Sequence, residues 1–165
     1  MRSRLMFLLI LLAILSVGTV TCVAVEISPE IELLAGVLSQ TTWIEGHGPI
    51  GCGNEYFQAL QTFFEEYRHH PAVTLAQNLT KKGFTYDAPP AFICHLGSLP
   101  DLELVYEYSD YLVGRAGGRG KLEEFRLALA DLAKESNFST FFESWMPYLE
   151  SSLDTSREGF RRELL

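Results

Sequence analysis

The sequence contains few basic side chains. Its 165 residues include 13 Lys and Arg against 21 Asp and Glu, and the formal net charge is -8 at pH 7. A protein that binds nucleic acid neutralises phosphate groups with a basic face. The composition therefore argues against nucleic acid as a partner.

Histidine and cysteine are also scarce, and they form no recognised catalytic or metal-binding pattern. No pair of histidines has the His-Glu-x-x-His spacing that places two imidazoles on one helical face. Cys94 and His95 would point about 100° apart on a helix, so with the distant Cys52 they make a poor ligand set. The sequence therefore predicts no catalytic residue, no cofactor, no metal ligand and no complete enzymatic motif. The four histidines are His47, His69, His70 and His95.

The N-terminal segment has the pattern of an export signal. Arg2 and Arg4 precede an unbroken apolar run over residues 5–15, and small or weakly polar residues follow as far as Ala24. This pattern favours cleavage after Ala24. The alternative is an uncleaved anchor, because the segment carries no charge after Arg4 and is long enough to span a bilayer. In both cases we expect residues 25–165 outside the cytoplasm, secreted or periplasmic, with membrane contact only through residues 1–24.

Two cysteines remain after the predicted leader, Cys52 and Cys94. An even number of cysteines in an oxidising compartment is typical of disulfide pairing. Two free thiols, with Cys94 buried on a helix, fit the sequence equally well. The sequence leaves open whether Cys52 and Cys94 are bonded.

The rest of the chain predicts a single mainly α domain over residues 25–165, a compact bundle of about five to six short helices. A hydrophobic fraction of 47% supplies one core, and the chain is too short for two domains. Helix starts are indicated by a capping residue, by a proline that can open a helix, or by the beginning of an apolar periodic run. These starts are Ser28 before Pro29, Asn54, His70 before Pro71, Asp87 before Pro89, a site near Lys121, and a capping box of Thr140 and Glu143.

Other stretches give weaker or different signals. Residues 99–111 fit a helix or a strand, and Gly114 to Lys121 is interpreted as a flexible connector because it lacks the full phosphate-loop pattern. The second predicted helix carries an aromatic stripe, for which burial in the core is the favoured interpretation. The stripe consists of Tyr56, Phe57, Leu60, Phe63, Phe64 and Tyr67.

Several short motifs resemble those of a known family. They are Glu32-Leu33-Leu34, Tyr56-Phe57, Phe63-Phe64, Tyr67-Arg68, His70-Pro71-Ala72-Val73, and Phe138 with Phe141-Phe142. Across most of residues 27–153 the chain resembles the N-terminal helical region of an exported prokaryotic family known as a domain of unknown function. Longer members of that family resemble zinc metallopeptidases, in which a His-Glu-x-x-His helix follows this region. The sequence reaches Leu165 without such a helix, so the resemblance implies a truncated form without the family's functional residues.

The sequence supports two functional interpretations. From the resemblance, the chain is the non-catalytic part of a metallopeptidase-like protein and is inert on its own. The alternative is a self-sufficient extracytoplasmic protein-interaction module, because nearly all aromatic residues lie outside the leader and their stripes exceed what one small core covers. The second interpretation implies a protein partner that the sequence does not identify.

Overall fold

The computed structural model describes residues 27–47 and 53–163 of the chain. These ranges contain eight helices and no β-strand, which confirms the mainly α class. There are more helices than the five to six expected, because α2 and α6 form in stretches without a clear helical pattern in the sequence. The helices are α1 (Pro29–Ser39), α2 (Trp43–His47), α3 (Glu55–Glu65), α4 (Pro71–Lys81), α5 (Ala88–Ile93), α6 (Asp110–Ala116), α7 (Arg119–Glu135) and α8 (Phe138–Glu163).

Side-chain caps begin several helices where the sequence indicates them. Ser28 Oγ accepts a hydrogen bond from the Ile31 amide at 3.3 Å, at the start of α1. Asn54 Oδ1 accepts one from the Phe57 amide at 2.8 Å, at the start of α3. His70 caps α4 with a ring nitrogen instead of an oxygen. These contacts satisfy amides that have no partner within their own helix.

The apolar faces of the helices meet in one core that is rich in aromatic rings. The predicted stripe on α3 is confirmed as core, because most of its members are buried and the others pack against buried residues. One aromatic group joins α3 to α8, and a second joins α5 to α7. The first group is Phe63, Phe64, Phe138 and Phe141, and the second is Phe84, Phe92, Tyr108 and Phe125.

Two loop interpretations change in the structure. Residues 99–109 are irregular before α6 begins, and Leu104 in this segment forms one isolated antiparallel bridge with Leu96. The connector between α6 and α7 is only Gly117 and Gly118, with φ angles of 76° and 133°. Glycine adopts positive φ without steric cost, so two residues suffice for this turn. The flexible connector expected from Gly114 to Lys121 is wrong.

Two of the predicted caps are also wrong. Thr140 lies inside α8, because Asn137 adopts a left-handed conformation with φ of 50° and α8 begins directly after it. Asp87 precedes α5 without capping it. Its carboxylate instead accepts a hydrogen bond from the Tyr111 hydroxyl at 2.9 Å.

The predicted leader, residues 1–24, lies outside the described residues, so its cleavage stays a prediction. Within residues 27–47 and 53–163, no helix combines the length and apolar character that crossing a bilayer requires.

Gly36 lies where α1 passes close to α3. A Cβ atom at Gly36 would be 2.2 Å from the ring of Phe64, which is fully buried. Displacing the packed ring costs about 1–3 kcal/mol, and the higher helix propensity of Ala offsets about 1 kcal/mol of that cost. We expect Gly36→Ala to lower the free energy of unfolding by up to about 2 kcal/mol. Urea denaturation measures the change.

The matched control is Gly114→Ala in α6, where an added Cβ would meet no atom of the described residues within 4 Å. Its stability should be unchanged or slightly raised. Equal effects of the two substitutions would contradict the close approach of α1 and α3.

Candidate functional site

The side chains considered as ligands in the sequence lie in separate places. His69 is exposed beside Arg68, and the Nδ1 atom of His95 is 3.2 Å from the carbonyl oxygen of Tyr106. Cys94 is exposed at the end of α5, so the expectation that it is buried is wrong. Cys52 lies outside the described residues. The bond between Cys52 and Cys94 therefore stays a prediction.

An apolar groove of about 280 Å³ lies between α1, α2 and the start of α5. We call it the Tyr86 groove, after the tyrosine at its rim. Aliphatic side chains of α1 form one wall, and aromatic rings and a proline ring form the others. Its main lining residues are Leu34, Leu38, Trp43, His47, Tyr86 and Pro90.

Three rings follow one another along the rim of the groove. The ring centroids of Trp43 and His47 are 4.7 Å apart, as expected for residues one turn apart on α2. His47 in turn meets Tyr86 edge to face, with centroids 5.3 Å apart. Such edge contacts suit the charge distribution of aromatic rings. The three rings therefore form a continuous row that runs from the buried Trp43 to the exposed Tyr86.

Tyr86 combines an unfavourable backbone with an exposed side chain. Its φ angle is 58° and its side chain is 69% exposed. Two other residues that are not glycine also have a positive φ. Leu102 is fully buried, so its packing in the core offsets the strain. Asn137 belongs to a residue type that tolerates this conformation. Neither reason applies to Tyr86. Strain held at an exposed aromatic residue indicates a functional role.

The turn that carries Tyr86 is held in place by α6. Arg115 Nη2 donates hydrogen bonds to the carbonyl oxygen of Thr85 at 3.2 Å and to Thr85 Oγ1 at 3.0 Å. Thr85 itself is buried. These contacts fix the residue before Tyr86, so the tyrosine is presented by a supported turn.

Two acidic residues neighbour groove residues along the chain. Glu45 lies between Trp43 and His47 on α2, and Asp87 directly follows Tyr86. Both are exposed, and neither lines the groove. They add to the negative charge of the whole chain, so this part of the surface favours a ligand that carries positive charge.

A larger cavity of about 540 Å³ lies beside the start of α1, near Ser98 and Phe142. Two carboxylates line it, and that of Glu30 already accepts hydrogen bonds from Ser28 Oγ at 2.7 Å and from the Leu99 amide at 3.2 Å. The other, Glu143, is exposed. This cavity therefore offers fewer free polar groups to a ligand than its volume suggests.

A carboxylate and a phenol meet between α1 and α3, where Tyr56 is buried and Glu32 is half-buried. Burial raises the pKa of Glu32, and the nearby Tyr56 hydroxyl offsets part of that rise. Burial also raises the pKa of Tyr56, and the negative charge of Glu32 raises it further. The Tyr56 hydroxyl has no hydrogen-bond partner of normal geometry among the described residues. Aromatic rings of α8 surround it, which makes the pair part of the core rather than of an open site.

Sequence reasoning did not single out Tyr86. The only signal was a bulky aromatic residue in a short turn between Gly83 and Pro89. A linear pattern does not separate an exposed aromatic side chain from a buried one when it lies outside a helix.

No family model, curated protein or solved structure matches this chain. The family resemblance drawn from short motifs therefore stays a prediction, and the function is inferred here from geometry and chemistry.

The Glu32 carboxylate predicts a specific pH dependence of stability. The pKa of Glu32 is higher in the folded protein than in the unfolded chain. Its contribution to stability is therefore fully present at pH values below the pKa in the unfolded chain, and it is lost as the pH rises through the pKa in the folded protein. We expect Glu32→Gln to be at least as stable as the wild type at pH 7, since no charge is then buried. The advantage should shrink as the pH falls and the wild-type carboxylate takes up a proton. Urea denaturation over a pH series measures this difference.

Glu143→Gln, at an exposed position of α8, controls for the loss of one negative charge. If the stability advantage of Glu32→Gln over the wild type grows as the pH falls, the folded protein does not disfavour the charged form of Glu32.

Proposed function

We propose that this domain is a non-catalytic protein-interaction module and that the Tyr86 groove holds a segment of its partner. The observation that carries the proposal is Tyr86 itself, an exposed aromatic side chain kept in a strained conformation beside two further rings. Aromatic residues at the edge of an apolar groove supply large contact areas at low cost in side-chain entropy, as at many binding hot spots.

The chemistry of the groove indicates the kind of partner. Grooves lined by aromatic rings accept extended segments that contain proline or branched apolar residues. The net charge of -8, to which the exposed carboxylates of Glu45 and Asp87 contribute, favours lysine or arginine next to that apolar part. The proposed partner is therefore an extended polypeptide segment with proline and leucine side chains flanked by basic residues.

The proposed place of action is outside the cytoplasm. Its support is the charge and hydropathy pattern of residues 1–24, which precede the described part of the chain. The other interpretation, an inert part of a metallopeptidase-like protein, stays a prediction, because it rests on the short-motif resemblance alone.

Binding of labelled peptides tests the groove. The probes are short fluorescein-labelled peptides of proline and leucine flanked by lysine. We expect them to bind the full chain, and we expect Tyr86→Asn to raise the dissociation constant at least about tenfold, as loss of a hot-spot residue does. Asn tolerates the left-handed backbone, so this variant should be as stable as the wild type or more stable. Fluorescence anisotropy and urea denaturation measure the two effects.

Tyr106→Asn is the matched control, because Tyr106 is 66% exposed and lies outside the groove. It should leave the dissociation constant unchanged. Equal losses in the two variants, or equal binding of peptides with glycine and serine in place of proline and leucine, would rule out the groove as the binding site.

A further inference from the structure

His70 lies at the junction of α4 and α7, away from the Tyr86 groove. Its side chain is only 7% exposed. The Nδ1 atom accepts a hydrogen bond from the Ala72 amide at 3.1 Å, and Pro71 has no amide hydrogen to offer. This cap fixes the orientation of the ring. The opposite nitrogen, Nε2, consequently faces α7.

Two carboxylates on α7 face this nitrogen. His70 Nε2 is 3.5 Å from Asp131 Oδ2 and 3.6 Å from Glu135 Oε2, and the three ligand atoms lie within 4.8 Å of one another. Asp131 and Glu135 are four residues apart, so they share one face of the helix. Neither carboxylate forms an ion pair with a lysine or arginine in the described part of the chain. Both are therefore available to a cation.

The spacing of these atoms suits a metal ion better than direct hydrogen bonds. Hydrogen bonds between nitrogen and oxygen span about 2.7–3.2 Å, and among the described residues His70 Nε2 has no hydrogen-bond partner. In a tetrahedral zinc site with bonds of about 2.1 Å, the ligand atoms lie about 3.4 Å apart. The two separations measured from His70 Nε2, 3.5 Å and 3.6 Å, are close to that value. Besides this spacing, a second feature points to a ligand: the imidazole nitrogen that faces the two carboxylates is buried and has no hydrogen-bond partner in the described part of the chain.

We propose that His70, Asp131 and Glu135 bind a divalent transition-metal ion, with zinc as the best fit. An imidazole nitrogen selects zinc and its neighbours over magnesium or calcium, which prefer sites made entirely of oxygen. The exposed carboxylates leave the remaining coordination position open to solvent. The site uses different residues from those of the Tyr86 groove, so it does not depend on the proposed function.

Metal binding has a cost at the start of α4. While Nδ1 accepts the Ala72 amide, the proton of a neutral imidazole resides on Nε2. Coordination requires the lone pair of Nε2, so the proton moves through solvent to Nδ1. The Ala72 amide then loses its acceptor. Metal binding at His70 is thus coupled to the loss of a helix cap.

Isothermal titration of the full chain with zinc chloride, with its cysteines kept reduced, tests the site. We expect saturable binding that His70→Asn weakens at least about tenfold, the lower range for losses around metal sites. Asn is itself a good capping residue, so this variant keeps α4 capped while it removes the imidazole. Asp131→Asn should weaken binding to a similar degree. Glu124→Gln, on the same helix and outside the cluster, should leave binding unchanged.

The amide signal of Ala72 in a ¹H–¹⁵N spectrum supplies a second readout. Zinc should shift it in the wild type and not in Asp131→Asn at the same zinc concentration. Absence of saturable zinc binding would overturn the proposal, as would full affinity in His70→Asn or an Ala72 signal that zinc leaves unchanged in the wild type.

Discussion

The packing of α4 against α7 is the interaction on which most of the structure depends. These two helices make the most extensive helix pair, α1 packs on α4, and α6 and α8 pack on α7. Buried side chains such as Leu79 on α4 and Leu129 on α7 form part of this core. A helix of 11 residues has little stability on its own in water, so α4 requires this contact. The pair thereby turns short helices into one cooperative unit.

The His70 cluster lies at the start of α4, and the turn that carries Tyr86 follows the end of α4. At its start, the His70 ring caps the helix and meets the carboxylates of α7. At its end, Gly83 with φ of 102° opens the turn that leads to Tyr86. Arg115 on α6 then fixes that turn through Thr85. The helix packing therefore sets the geometry of each site, although no residue is shared between them.

Local features of the fold could be predicted because their physical cause lies within a few residues. Ser28 and Asn54 cap helices through amides three positions away, and Pro71 marks the first turn of α4. The prediction of a capping box at Thr140 was wrong because the conformation of Asn137 decides where α8 begins. That conformation depends on how α8 folds back on α7, which no local pattern records.

The candidate sites depend on contacts between distant parts of the chain, so the sequence did not reveal them. His70 was recognised as a residue before a proline, but its neighbours Asp131 and Glu135 look like any acids on the exposed face of a helix. Only the packing of α4 on α7 brings them to the imidazole. Tyr86 likewise resembles a core aromatic residue until its turn is placed at the surface.

The tautomer of His70 in the metal-free chain tests this account most directly. Long-range ¹H–¹⁵N correlation at about pH 8.5, where histidine side chains are generally neutral, distinguishes the two forms. If the packing of α4 on α7 holds the ring as described, Nδ1 accepts the Ala72 amide and the proton is on Nε2. A proton on Nδ1 in the metal-free chain would contradict the cap, the orientation of the ring and the route to the metal site.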